Sequence, residues 1–392
     1  MRLNDVAQIV DCEHKTAPID PDGAFFAVGT PAMRGNTIDY SQARRVTAET
    51  FHEWTRRLKP KLGDILFARE APVGPVVKIP PEENIAPGQR TVLIRPGDRI
   101  DDQYLFYLMA SPRVQQRVLA VADGSTVPHL NVSDVRNLDL GELPDLITQE
   151  RIGSVLQSID NKIAANSAVL TLSNEIIRAR FARLPESECT ISDIAVLVKN
   201  SQHPDDFQHG KQLVGLEHFD SQSLWLARSS SPGTTTSRKN CFDVGDTLFG
   251  KLRPYFHKVA IAPFDGYCST DVLVLRAKDP AHGPLVASAA NSDPVVQHAV
   301  NRSNGTRMPR AKWSDIQGCA IPDPSATATI EFTALARALT EDATGRLHEN
   351  LALTKTRDEL LPLLMSGKIT VKDAEQEASA AGADIASEEN KA

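Results

Sequence analysis

Gly124, Ser125, Pro128, Ser133, Asp134, Val135, Thr148 and Glu150 are each answered 181 residues later, by Gly305, Thr306, Pro309, Ser314, Asp315, Ile316, Thr329 and Glu331. The correspondence extends backwards. "TVLIRPGD" (Thr91–Asp98) falls on "VLVLRAKD" (Val272–Asp279) at the same offset, and Pro112, Val114, Gln115 and Val118 fall on Pro294, Val296, Gln297 and Val300 at 182. "GDILF" from Gly63 returns as "GDTLF" from Gly245, again 182 on. A repeat this long is a duplicated domain, since solenoid units recur about every 20 to 50 residues. The chain therefore folds as two copies of one framework, and what distinguishes the copies lies in their inserts.

Each copy runs into a long apolar row. Between Thr148 and Leu184, the residues Leu156, Ile163, Leu170, Ile177 and Leu184 recur every seven positions, with Ile152 and Ile159 at three-and-four spacing from them. This is a coiled-coil seam. A helix over that run is roughly 55 Å long at about 1.5 Å per residue, so its row needs a partner of like length. Thr329 to Ser366 supplies one, with Phe332, Leu335, Leu339, Ala343, Leu347, Leu351, Leu360 and Leu364 at a looser three-and-four spacing. Asn166 and Asn350 fall in the two seams. Either they face each other and set antiparallel register, as a buried seam Asn can, or each is solvated where the seam widens. The first reading predicts that Asn166→Leu stabilises the pair but permits mispairing.

At 392 residues the prior is two or three domains. Five cysteines, odd in number and never at metal-ligand spacing, favour a reduced cytoplasmic chain without disulfides or structural metal. No apolar run approaches 18 residues and "MRLNDVAQIV" has no signal-peptide pattern. In the first copy "LNDVAQIV" reads as a short helix, answered by "ISDIAVLV" in the second. "DILFA", "PVVKI" and "TVLIR" read as strands, and "DQYLFYLMAS" and "SPRVQQRVLAVA" as helices, the latter opened by Pro112. The expected class is α+β. A first α/β unit covers 1–145 and a first helix 146–185, a second unit covers 186–325 and a second helix 326–371, and an acidic tail, 372–392, is expected to be disordered.

The units are not basic overall: residues 1–145 carry 17 Lys and Arg against 20 Asp and Glu, and 186–325 carry 14 against 15. Indiscriminate nucleic-acid binding is thereby disfavoured. Local clusters differ from that average. Arg34, Arg44, Arg45, Arg56, Arg57, Lys59 and Lys61 face only Asp39, Glu49 and Glu53. Arg228, Arg238, Lys239, Lys251, Arg253 and Lys258 face only Asp243 and Asp246, and Arg302, Arg307, Arg310 and Lys312 have no acid among them. Basic runs in the inserts of a duplicated fold suit phosphate contacts. The sequence has no phosphate-binding G-x-x-x-x-G-K-[ST], no G-x-G-x-x-G, no H-E-x-x-H, and no Asn/Asp-Pro-Pro-aromatic tetrapeptide for holding a flipped base. No catalytic or metal-ligating residue is therefore expected.

The segments "LPDLITQERIGSVLQSIDNKIAAN", "TRDELLPLLMSGKITV", "GDILF", "GDTLFGKLRPYFHKVAI", "GST-P-L" and "GTR-P" extend together over about residues 1 to 371. With two variable α/β units, each followed by a long helix, they resemble the DNA specificity subunit of type I restriction-modification systems. The second helix departs from the pattern, opening with "PDPSATATIEF" where the first has Gln149 and Glu150. The resemblance implies two tandem target-recognition domains whose helices form an antiparallel coiled-coil spacer, each domain reading one half of a split double-stranded DNA site. It also implies two methyltransferase subunits and restriction-translocase subunits as partners, which hold S-adenosylmethionine, ATP and magnesium; this chain needs no cofactor. Candidate DNA contacts are Arg34, Asn36, Arg44, Arg45, Arg69, Gln89, Ser125, Thr126 and His129 in the first unit. In the second they are Arg228, Arg238, Lys239, Lys251, Arg253, Tyr255, Thr306 and Arg307. Gly63, Asp64, Gly245 and Asp246 read as turn residues. The alternative reading is a duplicated scaffold that binds proteins only; a self-contained nuclease or methyltransferase is a third, which the missing motifs disfavour.

Overall fold

"LNDVAQIV", expected as a helix, is instead a 3-10 turn (Leu3–Asp5) running into strand β1 (Ala7–Asp11). The reason is local: Ala7 and Ile9 are buried while Gln8 is exposed, a period of two that one short turn leads into. The computed structural model describes residues 1–122, 128–233, 235–303 and 308–385. They form two compact units, Met1–Lys162 with Ala352–Ala392, and Ile163–Leu351.

In the first unit the three expected strands are β6 (Ile65–Arg69), β7 (Val73–Lys78) and β9 (Thr91–Pro96). With β1 they make an antiparallel sheet in the order β1-β9-β6-β7. A second small sheet, β5-β2-β8, joins β2 (Phe25–Val28), β5 (Arg44–Val46) and β8 (Ile85–Pro87), with β2 and β8 parallel. The hairpin β3 (Met33–Arg34) and β4 (Thr37–Ile38) packs on β7. Helices α1 (Ala48–Trp54), α2 (Asp102–Ala110), α3 (Pro112–Val121) and α4 (Val132–Arg136) complete it. Ser111 caps α3 from the residue before Pro112, and Asp101 caps α2 through the Tyr104 amide at 2.8 Å. From Leu146 to Phe181 the chain is the single helix α5.

The second unit repeats this plan. After α6 (Ile191–Ile194) come β10 (Ala195–Leu197), β11 (Ser201–Gln202), β12 (Gln212–Val214), β13 (Lys239–Phe242), β14 (Thr247–Gly250), β15 (Val259–Ile261), β16 (Gly266–Cys268) and β17 (Val272–Ala277). Its main sheet has the equivalent order, β10-β17-β14-β15, and its small sheet, β11-β13-β16-β12, again contains one parallel pair. Helices α7 (Gly283–Ala290), α8 (Asp293–Arg302) and α9 (Trp313–Ile316) follow, and α10 (Thr327–Met365) is the second long helix. One ion pair marks the duplication at atomic level. Asp64, fully buried, takes Arg95 through two bonds of 2.8 and 2.6 Å, and Asp246, 3% exposed, takes Arg276 through two of 2.7 Å. Each aspartate also caps its turn, accepting from the amide of Lys61 or Asp243.

Within each unit the long helices pack antiparallel. In the first, Ile152, Val155, Leu156 and Ile159 are buried, as are Leu353, Leu360 and Leu364 of α10, and Arg357 reaches Asp160 at 2.8 Å. In the second, Asn166 meets Asn350 and Arg346, while further along α5 Phe181 meets Phe332, so rising numbers on one helix go with falling numbers on the other. Leu170 and Ile177 are buried there against Phe332, Ala336, Ala343 and Leu347, with Ile163 and Leu339 half-buried. Two expected seam residues are not in it: Leu335 is 38% exposed and Leu351 is 49% exposed, because Ala336 and Leu353 take the inward positions. Leu184 packs on the core but lies beyond the end of α5. The tail expected to be disordered from 372 carries helix α11 (Val371–Ala380), capped by Thr370, with Ala374 and Ala378 buried; 386–392 lie outside the described residues. Between α10 and α11 the "SGK" step turns at Gly367, whose φ of 67° suits glycine.

Polar groups help fasten the first unit to α5. Lys78 donates to Gln103 and Gln157 and lies over the rings of Phe106 and Tyr107, at 4.3 and 4.8 Å. Tyr107 donates to Asp160 at 2.6 Å, and burial holds its hydroxyl neutral. Burial likewise pushes the Lys78 ammonium down to about 8, against the opposing pull of Asp160. A depressed lysine leaves the folded state with fewer protons than the unfolded chain between about pH 8 and the ordinary lysine value of about 10.4. The penalty for its charge is thus present in full below pH 8 and is relieved as pH rises through that window. Lys78→Met is expected to raise first-unit stability at pH 7, by up to about 3 kcal/mol, and to flatten the rise between pH 8 and 10. Urea melts across that range check it; a wild-type curve falling through the window contradicts it.

Candidate nucleic-acid interface

In both units the tip of one main-sheet hairpin, β6–β7 in the first and β14–β15 in the second, is tied to the strand-like segment ahead of the long helix. In the first unit the Leu130 amide donates to the Arg69 carbonyl at 2.8 Å, and Glu70 bridges to His129. In the second the Ala311 amide donates to the Lys251 carbonyl at 2.9 Å, and Leu252 bridges to Arg310. Leu130 and Ala311 are 181 apart and Arg69 and Lys251 are 182 apart, so the same bond is made twice at the duplication's own offset. The framework thus builds one platform in each unit and decorates it differently. In the first the turn is Glu70, Ala71 and Pro72, with Thr30 donating to the Ala71 carbonyl at 3.0 Å. In the second it is Lys251 to Lys258, with Arg253 donating its amide to the Pro309 carbonyl at 2.7 Å.

The candidate residues separate on this geometry. Lys251, Arg253 and Tyr255 come together on the second platform, joined by Arg310, which pairs with Asp271 at 3.0 Å and so stays charged. Arg69 and His129 come together on the first. Arg69 is turned inward, its Nε 3.7 Å from Asp11 and its Nη1 3.3 Å from the Leu130 carbonyl, which leaves the side chain 12% exposed. It braces the platform and offers little to a ligand, contrary to its expected role. Arg34 and Asn36 are exposed on the β3–β4 turn, where Gly35 and Asn36 both have positive φ, and this hairpin packs beside β7. Arg44 and Arg45 lie exposed on β5; Arg45 donates to the Gly23 carbonyl at 2.9 Å, and Arg44 reaches Ala17 at 3.5 Å. Gln89 donates to the His14 carbonyl at 3.0 Å.

In the second unit Arg228 pairs with Asp220 at 2.5 Å, Arg238 donates to the Ser201 carbonyl at 2.8 Å, and Lys239 binds the Ser237 hydroxyl at 2.6 Å. These three belong to the small sheet and its approach and not to the hairpin platform. Ser125, Thr126, Thr306 and Arg307 lie outside the described residues. Phe256 and Met308, both exposed beside the second platform, were not among the expected contacts; the "LRPYFHK" run was the signal for the first. Asp11, Cys12 and His14 bring three ligand-type atoms within 4.8 Å of one another, but Asp11 already faces the Arg69 guanidinium at 3.7 Å and the His14 ring at 3.0 Å. Among the described residues no helix is long and apolar enough to cross a membrane.

The seam asparagines face each other. Asn166, 1% exposed, donates to Asn350 at 2.9 Å and to Glu349 at 2.7 Å and accepts from Arg346 at 2.9 Å. Solvation of each in a widened seam is thereby overturned, and so is the expectation that Asn166→Leu stabilises. Leucine would strip partners from the Arg346 and Asn350 side chains while still burying its own bulk among them, and a half-satisfied buried network is worse than none. Asn166→Leu alone is expected to cost about 1–3 kcal/mol. Adding Asn350→Leu and Arg346→Leu should recover most of that cost. Thermal melts of the single and triple variants decide it, and a stabilised single variant contradicts it.

The profile of the Type I restriction modification DNA specificity domain matches residues 1–172. The Type I restriction enzyme EcoDI specificity subunit of Escherichia coli is 23% identical over 284 residues, which cover 60% of this chain and 62% of that protein, under two thirds of its length. The Type I restriction enzyme MjaIX specificity subunit of Methanocaldococcus jannaschii is 22% identical over 366 residues, 84% of this chain and 83% of its own. Among solved structures, the S subunit of a type I restriction-modification system from M. genitalium superposes with a TM-score of 0.57 at 12% identity, covering 93% of this chain and 95% of that one. At that identity the likeness speaks for the fold: two α/β domains, each followed by a long helix.

Proposed function

Because the chain belongs to the family of type I restriction-modification specificity subunits, we propose that it is the non-catalytic reader of a two-part double-stranded DNA site. Each platform serves one half-site. The paired helices α5 and α10 fix the separation of the halves and offer docking surface to two methyltransferase subunits, and through them to restriction subunits, in the cytoplasm. S-adenosylmethionine, ATP and magnesium are proposed to belong to those partners. The observation that carries this reading is the platform made twice: the same backbone bond at Arg69 and at Lys251, with the surrounding side chains changed. Lys251, Arg253 and Arg310 on the second platform, and Arg34 on the hairpin beside β7 in the first unit, suit phosphate and guanine contacts, while net acidity elsewhere limits nonspecific binding.

The test is selection from a random duplex pool by this chain purified with its methyltransferase partner. The expected result is a consensus in two parts separated by positions of any sequence. Recovery of duplexes without a consensus, from a complex that is fully assembled, would sink the proposal.

A further inference from the structure

Tyr255 and Phe256 stand on the tip of the second hairpin, 52% and 45% exposed, with ring centroids 4.8 Å apart and planes tilted by 54°. Two large rings left in water on one tight turn call for a ligand, since apolar groups of that size are ordinarily buried. The turn that lifts them is built and held. Arg253 and His257, on either side, both have left-handed backbone (φ 50° and 51°), a conformation non-glycine residues avoid unless their surroundings impose it. The surroundings do so here. The Arg253 amide is bound to the Pro309 carbonyl at 2.7 Å, the His257 carbonyl accepts from Gln222 at 2.8 Å, its ring meets the Asn291 carbonyl at 2.9 Å, and Pro254 is buried beneath.

The rings are set among cations. Lys258 sits 5.8 Å from the Phe256 ring with its ammonium on the Leu216 carbonyl, and Lys251, Arg253 and Arg310 share the platform, where Asp271 is the acid that pairs with Arg310. The Nε of Arg253 is shielded from solvent without a hydrogen-bond partner among the described residues. Aromatic rings flanked by positive charge fit a polyanion that also offers flat apolar faces, which is the chemistry of stacked bases on a phosphate backbone. The equivalent turn of the first unit, Glu70–Ala71–Pro72, has no ring to offer.

Resting on the reading of the chain as a DNA reader, we propose that Tyr255 and Phe256 form a wedge that enters between base steps of the half-site held by the second unit and kinks it. The first half-site stays stacked. Apolar side chains that insert in this way bend duplexes by roughly 20–90°. The test uses the complex with its methyltransferase partner and the duplex it selects from a random pool, labelled at both ends for energy transfer and carrying 2-aminopurine at successive positions. Binding by the wild type is expected to shorten the end-to-end distance and to raise 2-aminopurine emission in one half-site only. Tyr255→Ser with Phe256→Ser is expected to remove both signals and weaken binding about 5- to 150-fold, the range for losing one base-stacking contact. Tyr255→Phe should retain them.

Equal affinity and equal bending in the double-serine complex would overturn the wedge and leave DNA reading intact. Loss of the methyltransferase partner from that variant, with bending unchanged, would make the rings a protein contact and overturn it too. Failure to select any duplex would overturn the wedge together with the reading beneath it.

Discussion

Arg276→Met is expected to unfold the second unit at a markedly lower temperature while the first unit melts as before. Asp246 is 3% exposed and accepts two bonds from Arg276; the remaining donor nearby is the Asp243 amide at 2.8 Å. Methionine fills the space of the guanidinium stem but leaves a carboxylate without its counter-ion. Because the Arg276 side chain is 42% exposed, the loss is that of charge-assisted bonds to a buried carboxylate at a half-open site, about 2–3 kcal/mol. For a unit of this size that corresponds to a fall of about 5–10 °C in Tm. Asp243, on the surface side of Arg276, offers no relief because it is itself anionic. Arg95→Met should produce the mirror result, lowering the first unit's transition through Asp64. Calorimetry of both variants resolves the two transitions; an unchanged profile would show the pairs to be solvated and dispensable.

The second large effect falls on DNA. Lys251→Ala combined with Arg253→Ala strips the second platform of two cations without touching the core, since both side chains are only half-buried. A well-placed arginine on a base edge is worth about 1–3 kcal/mol of discrimination, and each lost phosphate contact lowers the slope of log K against log salt by about 1. Affinity for the selected duplex should drop about 100-fold or more at physiological salt. The salt dependence should become shallower, and the melting temperature should stay put. Anisotropy titrations at three salt concentrations measure this. An affinity unchanged within twofold would place the reading surface elsewhere, on the small sheet around Arg238 and Lys239.

The architecture was legible because duplication supplies its own alignment. "GDILF" and "GDTLF" located β6 and β14, "TVLIR" and "VLVLR" located β9 and β17, and the seven-residue row from Leu156 to Ile177 located α5. Legibility weakened where short-range pattern is ambiguous. The opening octet fits both periods, and only its pairing with β9, more than eighty residues on in the chain (Val10 opposite Leu93), decides for a strand. On α10 the loose spacing admitted two registers. The seam kept the expected Ala343 and took Ala336 and Leu353 in place of Leu335 and Leu351, and the small Ala336 and Ala343 allow α10 to approach the core closely. The tail helix was hidden for a like reason: Ala374 and Ala378, four apart, bury too little apolar surface to register as a core stripe.

The interface was less legible than the fold. Composition identifies a basic run but not what each cation is bonded to: Arg69 is turned in on Asp11, while Arg228 shares an exposed ion pair with Asp220. The insert "GLEHFDSQSLWLARSSSPGTTTSRKN" has no counterpart to align with, so nothing in it announced that Trp225 would donate to the Leu170 carbonyl of α5 at 2.6 Å. Nor did it announce that Asn174 would bind both Gln222 and Leu224. Part of the insert is structural, fastening the second unit to its helix, and the exposed tip at Tyr255 lies outside it altogether.

Methylome sequencing of cells expressing this chain with its methyltransferase partner, compared with cells carrying the Lys251→Ala, Arg253→Ala chain, tests the division of labour between the units most directly. The account predicts a methylated motif in two parts, of which one part alone loses definition in the variant while the other part and the spacing between them persist. A single contiguous motif, or a variant that blurs both parts together, would contradict it.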